Sequence, residues 1–587
     1  MSNPSMSSAG VAPEVYPSLA LEHSRAGATS RLFFLTDRQL TFAFALLLAL
    51  SVVIIHRVNQ RSYVGYHGMT HSAIAYSVLA GNIPPTNPFA ADLPLPYYWA
   101  YHVLLAKGVQ LSGLTPVAIA EIFNVLTIFA LTFLFAHLGR KLLNSSRAGL
   151  LAVVMILFAM NPFGPLLMAY RVVEGTLGLS IGEFTRSPTH PMLRGMFPGL
   201  DIRWAGTYFF HMQPSSRPLA MLAGSVAAVI ACSSLSRVSM WRGIGLVIAL
   251  AAACAMQPIV GVGTAFGLGV GLLYVRFVAR DNGAISNSVL IKLVICMGVG
   301  VVLAFPTYQQ LLNGNLVGLP IEKSVSVIAA KGFHVFAMLA VLPLVMAYLA
   351  MRRGYLQSPQ MQMLAVGGVV LVATSWITNV PGHREHSFFN MGTYLLALPA
   401  AAACGFGQRV EATLIKRRTI RVLACMAPVA AIMVLSFGYR RPIALASEGD
   451  LMRYPKRADT MAVYDWIVAN TPTNAALMFD TRDGEQIGFY GVESEVPAMT
   501  RRFLFMDVVE WFIPANHPQV AARQGVVAAL FDGEPLTGEQ EELVKSFDHP
   551  LYALTREPTE DAIIESRFGP AQFRQGKYAV YELKDLN

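Results

Sequence analysis

The sequence predicts a polytopic α-helical membrane protein with about eleven membrane-spanning helices, followed by a C-terminal extracytoplasmic α/β domain. Of the 587 residues, 54% are hydrophobic and only 13% are charged, whereas soluble domains carry about 25% charged residues. The apolar residues occur in repeated runs long enough to cross the ~30 Å hydrocarbon core of a bilayer. Most of the acidic residues lie in the last quarter of the chain. This composition excludes a disordered chain, a fibrous protein and an ordinary cytosolic enzyme.

The chain begins with a polar segment, residues 1–38, which is rich in Ser, Ala and Pro and predicts a disordered cytoplasmic tail. Residues 39–438 form the predicted transmembrane domain. Its eleven spans lie near residues 39–55, 117–138, 148–168, 217–235, 243–258, 260–278, 289–308, 332–350, 362–379, 388–407 and 421–438. Residues 97–112 are apolar but short, and they contain His102 and Lys107. We interpret them as an interfacial helix, with a twelfth span as the alternative.

The basic residues indicate the orientation of the spans. With the N-terminus in the cytoplasm, 18 Lys and Arg residues lie in the tail and inner loops and 11 in the outer loops, as the positive-inside rule requires. An odd number of spans then places residues 439–587 outside. It also leaves two long outer loops, 56–116 and 169–216, and long loops in compact proteins are usually functional.

The net charge of +9 does not indicate nucleic-acid binding. Residues 439–587 carry 15 basic and 23 acidic side chains, so the positive charge belongs to the membrane-spanning part. The lipid bilayer is therefore the predicted partner, nucleic acid is not, and the sequence identifies no protein partner.

Residues 439–587 predict a small α/β domain because candidate strands and helices alternate. The candidate strands are Ala475–Asp480, Val526–Phe531, Leu551–Thr555 and Tyr578–Leu583. The candidate helices are Asp459–Ala469, Gly538–Phe547 and Glu560–Arg567. The five cysteines all lie in predicted spans, so no disulfide framework is expected.

One glycine pattern has a structural interpretation. Gly263, Gly267 and Gly271 follow one another at four-residue spacing within a span. Such spacing predicts a face for close helix packing rather than a nucleotide-binding loop.

The first outer loop carries residues suited to substrate binding and proton transfer: Tyr66, His67, His71, Asp92, Tyr98 and His102. Asp92 is the first carboxylate of this loop and, with His67, is a candidate general base. His67 and His71 are four residues apart and would share a helix face. A divalent metal ion could bind there, but no carboxylate has a matching spacing, so the cofactor stays unidentified. Anchoring of the aromatic side chains at the membrane surface is the alternative for the Tyr and Trp residues.

Charged residues of the later outer segments suit phosphate recognition. Arg171 and Arg203 lie in the second long loop, and Arg384, Glu385 and His386 lie together before a late span. Arginine binds phosphate bidentately, so Arg171, Arg203 and Arg384 are candidate phosphate ligands. Glu385 is a candidate catalytic residue in a supporting role, and His386 is a candidate substrate-binding residue. Glu121, inside an apolar span, is either functional or a partner in a helix–helix hydrogen bond.

These features together resemble the GT-C superfamily of integral-membrane glycosyltransferases. The resemblance rests on Pro84-Pro-Thr-Asn-Pro-Phe89, on Tyr97-Tyr-Trp-Ala-Tyr-His102, on Glu385-His-Ser-Phe-Phe389 and on Tyr464–Ala475. Bacterial members include protein mannosyltransferases and the lipid A aminoarabinose transferase. The resemblance implies location in the bacterial inner membrane and a hexosyl- or pentosyltransferase activity that uses a polyprenyl-phosphate-linked sugar.

One departure from the family pattern leaves an alternative function open. The family usually has an Asp or Glu shortly after the first span, acting as base or metal ligand, but residues 56–91 contain no acid. Either Asp92 or a histidine takes that role, or the chain is a non-catalytic carrier or assembly subunit in cell-envelope polysaccharide synthesis. An ion-coupled transporter would need charged groups deep in several spans, and only Glu121 fits.

Overall fold

The computed structural model describes residues 36–58, 68–158, 207–212, 214–279, 285–312, 328, 341–378, 386–407, 413–424, 454–480, 495–506 and 517–586. Within these ranges the chain forms a helical bundle and a second part, residues 454–586, in which helices surround a β-sheet. We call this second part the sheet unit.

The helical part contains fourteen α-helices in the described ranges. They are α1 (Asp37–Val58), α2 (Met69–Leu79), α3 (Ala100–Ser112), α4 (Pro116–Leu143), α5 (Ser146–Phe158), α6 (Arg217–Ser234), α7 (Met240–Met256), α8 (Pro258–Phe277), α9 (Asn287–Leu303), α10 (Phe305–Leu312), α11 (Val341–Arg352), α12 (Pro359–Ile377), α13 (His386–Ala401) and α14 (413–424). A 3₁₀ helix, Thr207–Met212, precedes α6, and another, Ala402–Cys404, follows α13.

Six of the described helices are long and apolar enough to cross a membrane: α1, α4, α6, α8, α12 and α13 with its 3₁₀ extension. The shorter apolar helices α5, α7, α9 and α11 also overlap predicted spans, each extending two or three residues beyond one end. A multi-pass helical membrane protein is thus confirmed. The count of eleven stays a prediction, because residues 425–438 of the last span lie outside the described residues.

The bundle is organised around α13. The apolar 18-residue segment of α13 is wholly buried, whereas only 28% of the corresponding segment of α1 is buried. Glycines allow the central helices to approach closely. A Cβ atom on Gly267 would lie 3.1 Å from the carbonyl oxygen of Gly367, and one on Gly271 only 2.3 Å from that of Met363. The predicted glycine packing face is therefore confirmed: Gly267 and Gly271 pack against α12, and Gly263 packs against Phe388 of α13.

The predicted span 289–308 does not continue as one helix. Helix α9 ends at Leu303, and the short helix α10 begins at Phe305. Pro306 explains the break, because proline has no N–H for the helical hydrogen-bond ladder and clashes with the preceding turn.

The sheet unit has five strands: β1 (Ala476–Met478), β2 (Phe503–Leu504), β3 (Leu551–Thr555), β4 (Phe573–Gln575) and β5 (Tyr578–Glu582). Their order is β2-β1-β3-β5-β4, with β1 parallel to β2 and β3, and β5 antiparallel to β3 and β4. The helices are α15 (Tyr454–Asn470), α16 (Glu495–Thr500), α17 (Pro518–Asp532), α18 (Gly538–Lys545) and α19 (Pro558–Phe568). Every residue of β1 and β3 is buried, as expected for strands covered on both faces.

One predicted strand, Val526–Phe531, is wrong, because these residues belong to α17. The helix starts at Pro518 after the capping residue His517, and it ends at Gly533, whose φ of 76° suits a helix C-cap. A short apolar run does not distinguish a buried strand from a buried helix. The predicted strand Leu551–Thr555 is confirmed, and the other two predicted strands contain β1 and β5.

Candidate functional site

Three helices begin at the same end of the bundle. Helix α7 runs back from α6, so α6 and α8 start together, and α13 starts beside them. Gln257, the residue before α8, donates from Nε2 to Oγ of Ser387 in the first turn of α13, at 3.2 Å. We call this end of the bundle the mouth. Because a helix N-terminus carries about half a positive charge and unpaired N–H groups, three N-termini make the mouth electropositive.

A stack of side chains connects two of these helix starts. The guanidinium carbon of Arg217, the first residue of α6, lies 4.3 Å from the ring centroid of Phe210. The Phe210 ring is in turn nearly parallel to the ring of His386, the first residue of α13, at 6.3 Å between centroids. The stack holds a permanent cation and an imidazole at the positive ends of two helices, an arrangement suited to an anion.

Two histidines of the predicted first outer loop lie in contact in the interior. His71 lies in α2 and His102 in α3, and both are buried. Nδ1 of His71 and Nε2 of His102 are 2.8 Å apart, a hydrogen-bond distance. Burial lowers the pKa of His102 to about 3, because the charged imidazolium would lose its hydration; the nearby carbonyls of Trp99 and Tyr98 oppose this effect. His102 is therefore neutral near pH 7, and a hydrogen bond joins the two imidazole rings.

A tyrosine pair links α3 to the mouth. Tyr97 and Tyr98 stack with centroids 4.2 Å apart, and the Tyr97 hydroxyl donates to that of Tyr98 at 2.9 Å. The hydroxyl of Ser216, immediately before α6, donates to the same Tyr98 oxygen at 3.2 Å. The predicted binding residue Tyr98 therefore lies beside the start of α6, next to Arg217.

Asp92 makes its contact with the sheet unit instead. Its Oδ1 is 3.0 Å from Nε2 of His549, and its side chain is 47% exposed. The backbone at Asp92 has a φ of 67°, in the left-handed region that Asp and Asn tolerate better than most residues. Just before it, the N–H of Ala91 donates to the carbonyl of Leu504, and the N–H of Leu504 donates to the carbonyl of Pro88. Residues 88–92 thus cover the outer edge of β2.

The structure brings some of the predicted site residues together and leaves others out. His71, Tyr98 and His102 lie in one cluster, and His386 lies at the mouth. Six predicted residues lie outside the described ranges: Tyr66, His67, Arg171, Arg203, Arg384 and Glu385. Sequence reasoning selected neither Arg217 nor Gln257 as a site residue, although each immediately precedes a proline in the first turn of an apolar helix, a recognisable helix-start signal.

The described residues do not form a metal site. Among them, no group of three or more His, Cys, Asp or Glu side chains lies close enough to hold a metal ion. The His71–His102 pair supplies only two imidazole side chains, and one ring-nitrogen lone pair is used in the hydrogen bond between the rings.

The architecture of an apolar helical bundle followed by a mixed β-sheet is shared with solved membrane-protein structures. The chain is similar to ArnT from Cupriavidus metallidurans, a GT-C aminoarabinose transferase. The structure of ArnT bound to undecaprenyl phosphate matches with 13% identity and a TM-score of 0.52, covering 92% of this chain and 97% of that chain. The apo structure matches with 13% identity and a TM-score of 0.51, covering 93% and 98%. The resemblance to the GT-C superfamily is therefore confirmed at the level of the fold. No family model and no curated protein matches the sequence.

Proposed function

We propose that this protein is a membrane glycosyltransferase that transfers a sugar from a polyprenyl-phosphate donor to a glycan, lipid or protein acceptor outside the cytoplasm. The single observation that carries the proposal is the mouth: three helix N-termini and the Arg217–Phe210–His386 stack in a GT-C fold. The undecaprenyl phosphate bound to the similar ArnT supports a lipid phosphate as the anion.

Binding of the donor phosphate follows from the charges at the mouth. Each helix N-terminus stabilises a nearby anion by ~0.3–1 kcal/mol at an exposed site, and Arg217 adds a charge-assisted hydrogen bond. The isoprenoid tail would lie against the apolar helices, where it replaces lipid. Arg171, Arg203 and Arg384 stay predicted as further phosphate ligands.

The reaction is a single displacement at the anomeric carbon. The acceptor oxygen forms the new bond to this carbon while the bond to the phosphate oxygen breaks, which inverts the configuration and releases polyprenyl phosphate. Arg217 and the helix N-termini stabilise the charge that develops on the leaving phosphate. A general base takes the acceptor proton, and Asp92 and His67 stay the predicted candidates.

Substitution of Arg217 by alanine tests the proposal. The purified protein is incubated with radiolabelled polyprenyl-phosphate sugars, and consumption of the donor is measured. We expect R217A to lower kcat/KM by about 100-fold, the usual effect of removing one charge-stabilising donor. Arg242→Ala is the matched control, because Arg242 lies in the first turn of α7 at the opposite end of the bundle, ~25 Å away, and donates to the carbonyl of Ser233. Equal turnover by both variants would contradict a phosphate site at Arg217.

The same assay separates the alternative, a non-catalytic carrier or assembly subunit, which is favoured by the missing acid in residues 56–91. A carrier binds the labelled donor but returns it unchanged after prolonged incubation with membrane acceptors. A transferase consumes it and releases polyprenyl phosphate.

A further inference from the structure

Two buried carboxamides near the mouth have a polar atom without a partner in the part of the chain that the structure describes. Gln257 is 3% exposed and Asn390 is 1% exposed. Nε2 of Gln257 is bonded to Ser387, but its Oε1 has no hydrogen-bond partner, and neither has Nδ2 of Asn390. Buried polar atoms are nearly always paired, so each exception indicates a bound water, a ligand or a functional role.

The start of α8 does not require the Gln257 carboxamide. The backbone of Gln257 is satisfied: its N–H donates to Ala253, and its carbonyl accepts from Val260 and Gly261. Its side chain makes no capping hydrogen bond to α8. Exchanging the oxygen and nitrogen of the Gln257 amide would not pair both atoms, because the Ser387 hydroxyl contacts only one of them. Because an unpaired buried amide destabilises a fold, these residues point to a bound partner.

The two carboxamides lie on one side of the mouth. Ser387 and Asn390 are three residues apart on α13, hence on one face and separated by ~4.5 Å along the helix axis. Gln257 contacts Ser387, which is nearer the start of α13, and Asn390 lies about one turn further along this helix. Both are close to the starts of α8 and α13, where the donor phosphate is proposed to bind.

We infer that Gln257 and Asn390 bind the sugar of the lipid-linked donor and that this sugar is uncharged and rich in hydroxyl groups. The inference rests on the proposed function. A carboxamide offers an acceptor and a donor without net charge, so one sugar hydroxyl donates to Gln257 Oε1 and another accepts from Asn390 Nδ2. If the sugar carried an ammonium or carboxylate group, this charge would be buried opposite a neutral amide. A neutral amide compensates poorly for the hydration that the charged group would lose.

Binding measurements on the full-length protein in nanodiscs test the inference. Three probes are compared: bare polyprenyl phosphate, the same lipid carrying a neutral hexose, and the same lipid carrying an amino sugar. The wild-type protein should bind the neutral sugar lipid most tightly. Gln257→Leu and Asn390→Leu should each lose about 10-fold in affinity for that probe, as expected for the loss of one net hydrogen bond to the sugar. Their affinity for bare polyprenyl phosphate should not change.

Two controls distinguish recognition from stability. Thr132→Val removes a fully buried hydroxyl that bonds only to the carbonyl of Ile128 within α4, and it should not change the preference. Without ligand, N390L should unfold at the same temperature as the wild-type protein or higher, because it removes an unpaired amide. A markedly lower unfolding temperature would assign Asn390 a structural role and overturn the inference.

The remaining outcomes separate this inference from the proposed function. A wild-type protein that binds no polyprenyl phosphate at all would refute the proposed function. A wild-type protein that binds the bare lipid and the sugar lipid equally would show that the carboxamides hold water only. Variants that keep the full preference for the neutral sugar would also overturn the inference, while the transferase activity would still stand.

Discussion

Replacement of Arg523 by leucine should release residues 88–93 from the sheet unit. Arg523 is only 2% exposed, although it carries a permanent charge. Its Nη1 donates to the carbonyl of Ala91 at 2.6 Å and to that of Phe505 at 3.0 Å. The guanidinium also lies over the rings of Phe505 and Phe547, at 5.2 and 5.0 Å. One side chain therefore joins residues 88–92 to the interior of the sheet unit.

The size of the effect follows from these contacts. Leucine fills part of the space but leaves two buried carbonyls without a donor, and each such group costs ~1–3 kcal/mol. The lost cation–π contacts add to this, while the removal of a desolvated charge offsets part of it. A net local destabilisation of about 3 kcal/mol corresponds to a roughly 100-fold more frequent opening of the loop.

Hydrogen exchange at single amides measures this opening. The N–H of Ala91 is bonded to Leu504, and the N–H of Leu504 is bonded to Pro88, so both amides should exchange about 100-fold faster in R523L. Arg574→Leu is the matched control, because the side chain of Arg574 is 46% exposed and its ion pairs with Asp561 and Glu565 are at the surface, where such pairs contribute ~0–1 kcal/mol. Unchanged exchange at both amides in R523L would refute the role of Arg523.

Two further predictions concern the buried interior. Because burial lowers the pKa of His102 from about 6.5 to about 3, the unfolded chain binds more protons between these values. The contribution of neutral His102 to the free energy of unfolding is therefore complete above pH 6.5, and it decreases as the pH falls, by up to ~1.4 kcal/mol per pH unit. The substitution His102→Gln should reduce the fall in unfolding temperature between pH 7 and 5.5. An unchanged pH dependence of the unfolding temperature would contradict this. Gly271→Leu should prevent folding, since its Cβ would lie 2.3 Å from the carbonyl oxygen of Met363, whereas Gly298→Ala, with no atom within 4 Å, should not reduce the amount of monodisperse protein after purification.

The sequence predicted most of the bundle because the membrane requires long apolar helices with internally satisfied backbones. Prediction was less successful where the signal is short. Strand β2 has two residues and was missed, and the apolar run Val526–Phe531 was assigned to a strand although Pro518 and Gly533 mark the ends of a helix. Pro518 and Gly533 indicate a helix between them, whereas the apolar run alone is also typical of a buried strand.

The candidate site was harder to predict because its contacts join distant parts of the chain. Sequence spacing paired His71 with His67, but the described partner of His71 is His102, 31 residues later. Arg523 and Ala91 are 432 residues apart, and no local pattern indicates such a contact. The polar residues before Pro218 and Pro258 were available to sequence reasoning, yet their importance follows only from the convergence of three helix N-termini.

Asp92 allows catalysis and structure to be separated by one substitution. Asparagine keeps a side-chain oxygen for the hydrogen bond with His549, and it tolerates the φ of 67° as well as aspartate does. It cannot serve as a general base. If Asp92 takes the acceptor proton, D92N should lose transfer while the amide of Ala91 keeps its protection from exchange. Unchanged turnover would remove Asp92 from the mechanism and leave His67 as the predicted base, and Asp92 would then serve to fasten the loop to the sheet unit.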